Sequence, residues 1–338
     1  NLLSLCNSQA GGTVVADISA LRAEIAADLG IVLPKVRIRD NLQIAANRFR
    51  ISIDGNVVFE GTVERDKSLF LHTRDTFPIG ETKANFVWAP YAVWADAESE
   101  QNQSAAAQIS ATRVIVYSLR WLAYEHADQL LTRDATNELI EETRKSFPRL
   151  VADTVPEIIT IGQLQKTFRH LLREGIALRP MHLILETINE NKGENGDIQR
   201  LTRLIRESMQ RHTAQRLAGP DGRVTCFGIS DELTDSLENA VLNQKDENTV
   251  SGKFNAGIRR NLRVAVQSGA QHLLGLGFRP IMLVNSSIVE VVKNTIFEIH
   301  PRVVVLSEEE IPNPAVLNMI AEITPGGVGN ASTNSAAA

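Results

Sequence analysis

Bond-making chemistry in this chain would have to come from seven histidines, two cysteines and a short acidic run. A metal site needs such groups at set intervals, as with two imidazoles one helical turn apart on the same face. His72, His126, His170, His182, His212, His272 and His300 form no such pair, and none has a cysteine or carboxylate at a ligand interval. Cys6 and Cys226 lie far apart and fit no metal or redox motif, which suits thiols kept in a reducing compartment. The acidic run SEEE, Ser307 to Glu310, carries charge enough for a cation. It follows an apolar run and precedes Pro312, however, so it reads as a solvated loop or a helix start. GLGF, Gly275 to Phe278, lacks the third glycine and the strand-then-helix setting of a dinucleotide loop, and neither GxxxxGK[ST] nor GxSxG occurs. The expectation is a chain without catalytic residues, metal or cofactor, whose work is binding.

Charge narrows the choice of partner. Lys+Arg number 35 against Asp+Glu 40, for a formal net charge of −5, so nothing draws the whole molecule to phosphate backbones or anionic lipid. The most cationic short stretch is GIVLPKVRIRDN, Gly30 to Asn41, where Lys35, Arg37 and Arg39 alternate with Val36 and Ile38. That period of two predicts a strand with one wet face, starting near Pro34. Asp40, Asp54, Glu60, Glu64 and Asp66 offset the cations, and no aromatics interleave with them. A solvent face, or contact with a neighbouring protein, accounts for the stretch better than nucleic acid does. With 338 residues, 43% of them hydrophobic, the chain has the material for roughly two to four compact units. The apolar window Leu273 to Val284 is cut by Arg279 and Pro280, well short of a membrane span. The opening NLLSLCNSQAGG has no basic n-region and Asn1 is not methionine, so a fragment starting mid-chain is expected.

The elements that would carry a binding surface alternate in type. Ile18, Leu21, Ile25 and Leu29 share a helical face, with Asp17 as the expected N-cap and Gly30 as the residue after the helix. FRISIDGNVVFEGTV reads as a hairpin, Asp54-Gly55 forming its tight turn and Val57, Phe59 and Val63 returning on one face. Thr73 to Ala111, rich in proline, glycine and small polar residues, reads as a small irregular insert. A helix from Thr112 to about Leu131 sets Val116, Leu119, Leu122 and Ala123 on one side. A mainly helical block follows, with Ile161, Leu164, Phe168, Leu171 and Leu172 on one stripe and Ile198, Leu201, Leu204 and Ile205 on another. IMLVN, a helix over Ile288 to Ile299 capped by Ser286 or Ser287, and VVVLS make a β-α-β unit.

Aromatic residues cluster within this order. Phe86, Trp88, Tyr91 and Trp94 sit close together, and the next helix adds Tyr117, Trp121 and Tyr124. They could pack a small core or line a half-exposed cleft for a partner, since Trp and Tyr favour interface centres. Both uses stay open at this point.

LGIVLPKVRIRDN, RFRISIDGNVVFEG, the AVW triplet at Ala92 to Trp94, the stretch from Leu150 to Ile188, PIMLVN and PRVVVLSEEEI occur in one order along the chain. Together they resemble the cytoplasmic domain of the large export-gate protein of type III secretion injectisomes and bacterial flagella, the FHIPEP family. The resemblance implies an N-terminal membrane part missing from this sequence and a body on the cytoplasmic side of the bacterial inner membrane. It implies a homo-oligomer, a nonameric ring, that receives chaperone–cargo complexes and contacts a gatekeeper protein and the ATPase stalk. Nucleic acid and small-molecule substrates are not implied, and neither is catalysis. In the flagellar branch a chaperone-docking dimple uses an acid and a Phe shortly before AVW and a Thr on the following helix. Those places fall here on Asn85, Trp88 and Tyr117, so the pattern has diverged; Phe86 and Trp121 complete the expected cleft. The divergence tilts the expectation toward an injectisome member, with a flagellar export gate as the alternative. For the ring, Arg144, Arg169, Arg173 and Glu174 on the helical block are either solvated or paired with an adjacent protomer.

The expected fold class is mixed α/β in four small subdomains. Residues 1–29 form a linker and helix; 30–75 with 112–131 a sheet-containing first subdomain; 76–111 an inserted second; 132–210 a helical third; 211–324 an α/β fourth containing the β-α-β unit; and 325–338 a flexible tail. Rivals from other classes are a soluble α/β enzyme with a pocket at its strand ends and a winged-helix DNA binder. The acidic balance argues against the second.

Overall fold

In the computed structural model the chain divides into two units, residues 1–135 and 136–338. The residues described are 2–5, 13–72, 82–84, 86–89, 91–98, 105, 107–194, 196–244, 256–276, 278–297, 303–311, 316–324 and 327–330.

In the first unit, α1 (Val14–Leu29) buries Val14, Ile18, Leu21, Ile25 and Leu29, one turn more of the stripe than the expected start at Ile18. Asp17 is therefore not the N-cap. It lies in the first turn and accepts a hydrogen bond from the Thr13 hydroxyl at 2.7 Å, where a carboxylate also suits the helix dipole. Gly30, at φ 76°, closes the helix as expected. The strand expected from Pro34 onward does not form. Residues 30–40 make no ladder, and Val36 and Ile38 are exposed beside their cations. The Arg22 guanidinium donates twice to the Leu33 carbonyl, at 2.7 and 3.1 Å, fixing the root of this segment to α1. Alternation marks a chain able to pair; it does not supply the neighbour.

The hairpin β1 (Arg48–Ile53) and β2 (Asn56–Thr62) does form, its turn held by positive φ at Asp54 and Gly55. A bulge at Ile51/Ser52 breaks the simple alternation, so Val57 is exposed while Val63 is fully buried. β3 (Ser68–Leu71), β4 (Thr82–Lys83), β5 (Ala92–Ala95) and β6 (Ala107–Ser110) make an antiparallel sheet in the order β4-β5-β3-β6. The described part of the region expected to be irregular thus supplies paired strands. At two to four residues each they are too short to show a period in the sequence. α2 (Ala111–Glu125) and α3 (Ala127–Leu130) close the unit. α2 is clipped to α1 by Tyr124 donating to Asp28 at 2.7 Å and by Arg120 with Glu24 at 2.5 Å.

α4 (Arg133–Ser146) leads into the second unit, followed by α5 (Pro148–Thr154), α6 (Ile161–Arg173), α7 (Met181–Glu190), α8 (Ile198–Ser208) and α9 (Gln210–Leu217). A reciprocal capping box between Thr160 and Gln163 starts α6, and Leu164, Phe168, Leu171 and Leu172 are buried along it. Leu201 and Ile205 are buried on α8, against which α6 and α7 pack. Then come β7 (Val224–Ile229), α10 (Asp231–Gln244), α11 (Ala256–Gly275), β8 (Ile281–Val284), α12 (Val289–Phe297), β9 (Val304–Ser307), β10 (Leu317–Thr324) and β11 (Gly327–Asn330). The sheet order is β11-β10-β7-β8-β9, parallel except for β11. α12 joins parallel β8 and β9, giving the expected β-α-β unit; the expected helix end at Ile299 lies outside the described residues. Near the start of α12, Ser286 donates to Glu309 and Ser287 to Glu238.

Helix and sheet portions of this unit meet at a buried charge cluster. Arg206 on α8 is 2% exposed. It binds Glu310 through two nitrogens at 2.5 and 2.9 Å, Glu174 at 2.7 Å and the Val305 carbonyl at 3.0 Å. Lys293 on α12 stands 3.7 Å from both Glu174 and Glu310. Burial by itself would raise the Glu310 carboxyl, but the charge and hydrogen bonds of Arg206, with Lys293 and the Ser307 N–H, outweigh it and hold the group below the usual carboxylate range. Burial likewise disfavours the Arg206 cation, and Glu174 and Glu310 outweigh it, so the guanidinium is held above its usual range. SEEE is accordingly a 3₁₀ turn that is solvated at Glu308 and Glu309 and buried at Glu310, which corrects the wholly solvated reading.

A folded value below the unfolded one means that Glu310 stabilises fully above about pH 4.3, and that this contribution is lost as pH falls through its folded value. Urea unfolding of Glu310→Gln should therefore show a flatter acid limb than wild type. Arg206→Ala, which strands two carboxylates, should cost roughly 3–5 kcal/mol at neutral pH. An unchanged acid slope and an unchanged midpoint would remove the cluster's stabilising role.

Candidate partner-binding site

The aromatic residues singled out in the sequence gather on α2 and on the turn before β5. Phe86 and Ala89 form an isolated bridge, Ala89 N–H donating to the Phe86 carbonyl at 3.1 Å, and this reversal carries Trp88 across the face of α2. The Trp88 indole N–H donates to the Ser118 hydroxyl at 3.1 Å. Ser118 is fully buried and passes its own proton to the Val114 carbonyl at 2.8 Å. With its polar atom tied, the indole has one preferred plane.

That plane belongs to a stack. Phe49 lies 5.8 Å from Phe59, Phe59 6.4 Å from Phe86, Phe86 5.1 Å from Trp88, and Trp88 5.7 Å from Tyr117. The Trp88–Tyr117 planes differ by 23°, an offset-stacked geometry. The ladder begins in the buried core at Phe49 and ends on Tyr117, which is 38% exposed. Trp121, one turn beyond Tyr117, lies 6.4 Å from Phe59. Burial grades along the ladder: Phe86 and Trp94 are core, Trp88 and Trp121 are half-buried, and Tyr117 faces outward. Asn85 lies outside the described residues.

The residues expected at a ring contact are placed differently. Arg144 pairs with Glu141 of its own helix at 3.2 Å. Arg169 is half-buried and Arg173 exposed on α6. Glu174 is drawn into the Arg206 cluster of its own chain. Two functional groups escaped the sequence analysis: Ser118, which stands on the apolar face of α2, and Arg206, which stands in register with the Leu201 stripe. A polar residue in an apolar register was the available signal for both. Among the described residues no set of three His, Cys, Asp or Glu could hold a metal, and no helix is long and apolar enough to cross a membrane. Cys226 is a buried free thiol whose pKa burial pushes up to about 12, far from a reactive thiolate.

Compared with known proteins, residues 1–315 match the family described as the FHIPEP family. The flagellar biosynthesis protein FlhA of Helicobacter pylori strain J99 is 30% identical over 323 residues, covering 92% of this chain and 43% of that protein. FlhA of Escherichia coli K12 is 26% identical over 329 residues, covering 95% of this chain and 46% of its own length. The chain thus spans less than half the length of these relatives. In structure it is similar to Chlamydia pneumoniae CdsV, with TM-score 0.74, 17% identity and 93% and 90% of the two chains covered; CdsV has also been solved in complex with CdsO. It is also similar to the nonameric EscV cytosolic domain from a type III secretion system, with TM-score 0.66, 16% identity and 92% of each chain covered. At those identities the likeness concerns the fold, and it agrees with the mixed α/β class.

Double-mutant analysis checks the ladder's anchor. Ser118→Ala should cost about 1 kcal/mol or more by leaving the Trp88 N–H without its acceptor. Trp88→Phe, which has no N–H, should make the serine change nearly neutral. Strict additivity in urea unfolding would show that the hydrogen bond does not hold the indole.

Proposed function

Because the chain belongs to the FHIPEP family, we propose that it is the cytoplasmic, ring-forming part of a type III export gate and receives chaperone–cargo complexes at the outer end of the aromatic ladder. One observation carries this assignment: Tyr117 faces outward, stacked on an indole already fixed by Ser118. An aromatic pair held in place before binding loses little rotamer freedom when a partner covers it, and such pairs dominate interface energetics. The partner class is a folded chaperone–cargo complex presenting an apolar surface to the rings. The domain does no bond chemistry of its own in this account.

The ring rests on the family and on the fold shared with a domain solved as a nonamer. Closing such a ring requires one face of each protomer to match a different face of the next. A relative in fold has been solved bound to another protein, which supports additional docking surfaces. We assign these to the ATPase stalk and a gatekeeper, at the cytoplasmic face of the inner membrane. A flagellar export gate is the second reading, favoured by the 30% identity to a flagellar protein. The Trp88 and Tyr117 departures from the flagellar dimple favour the injectisome reading.

Calorimetric titration with the chaperone–cargo complexes of the same cell tests the site. Tyr117→Asp, an exposed position, should keep the circular dichroism of wild type and weaken binding at least about 30-fold, the loss expected at an interface hot spot. Undiminished binding by the folded variant would overturn the cleft assignment. Binding confined to flagellar or to injectisome chaperones would decide between the two branches.

A further inference from the structure

Two sets of charges lack partners of their own, and they are opposite in sign. The segment Pro34–Leu42 is exposed at every residue, with Val36 at 40%, Ile38 at 46% and Leu42 at 92%. Its root is fixed, since Ile31 and Leu33 are buried and Arg22 holds the Leu33 carbonyl. Beyond Leu33 no backbone group from Pro34 to Asp40 joins a ladder, and Lys35, Arg37 and Arg39 have no ion-pair partner among the described residues. An extended arm that alternates apolar and cationic side chains, anchored at one end and exposed along its length, is a surface awaiting a partner.

The complementary charge lies in the second unit. Asp231, Glu232 and Asp235 are exposed on the first turns of α10, have no cationic neighbour among the described residues, and share the helix with no Lys or Arg. Of the other helices with exposed acids, α4 answers its charge locally, with Arg144 against Glu141 and Lys145 against Glu142, and α7 exposes only two, Glu186 and Glu190. Among the described helices that carry no Lys or Arg, α10 exposes the most acidic residues, in a chain of net charge −5.

We propose that the Pro34–Leu42 arm of one protomer docks on the acidic face of α10 of a second copy of this chain. Lys35, Arg37 and Arg39, on one side of the extended arm, face Asp231, Glu232 and Asp235. The contact joins different faces of the two copies and propagates around a ring rather than stopping at a pair. It rests on the ring assignment made above.

Light scattering of the purified chain over a concentration series at low and high salt tests it. Wild type should assemble, and assembly should weaken as salt screens the contact. Arg37→Glu with Arg39→Glu should weaken assembly at least tenfold while circular dichroism stays unchanged. Adding Asp231→Arg and Asp235→Arg in the same chain should restore it. If wild type assembles and the Arg37/Arg39 variant assembles equally well, the arm contact is overturned and the ring stands. If the arm variant fails and the α10 reversal does not rescue it, α10 is overturned as the receiving face. A wild type that stays monomeric throughout overturns the ring assignment and the arm contact with it.

Discussion

A buried hydroxyl governs the first unit. Ser118 stands where the apolar stripe of α2 would ordinarily hold an aliphatic residue, and its hydrogen bond answers the one polar atom of Trp88. Without an acceptor, an indole pressed into a core either turns its N–H toward water or bears a desolvation penalty of about 1–3 kcal/mol. With one, the ring lies flat between Phe86 and Tyr117, and the order of the core reaches the surface. The outer face of Tyr117 is therefore an extension of the core rather than a loose side chain.

The second unit applies the same rule to charge. Arg206 keeps its charge when buried, a cost that Glu310 and Glu174 offset, and those carboxylates come from the sheet portion and from the end of α6. Packing alone can slide, whereas a bidentate ion pair has one geometry. The cluster thus fixes the register between the helices and the parallel sheet. Glu174, at the end of α6, contributes to the fold through this cluster.

The sequence was most legible where one face of an element meets apolar residues and the other meets water. The α6 stripe, the Asp54-Gly55 turn and the β8-α12-β9 unit follow directly from spacing. It was least legible where a residue's role depends on a distant partner. Lys35 to Arg39 carries a strand's alternation and forms no strand, because pairing needs a neighbour that local pattern does not name. The strands β3 to β6, two to four residues long, leave no period to read, so in sequence the region reads as an irregular insert. The aromatic excess signalled a ring cluster, but not which ring would face out. Only the turn at Phe86–Ala89 and the Ser118 hydrogen bond decide that Tyr117 is the outer end.

Fluorine NMR of the chain labelled with 5-fluorotryptophan tests the central claim most directly, since Trp88, Trp94 and Trp121 give three separate probes at known depths. On adding a chaperone–cargo complex, the account predicts a large shift at Trp88, beneath the contacted Tyr117, and none at Trp94, which is buried. A complex that binds while the Trp88 signal stays in place would contradict it.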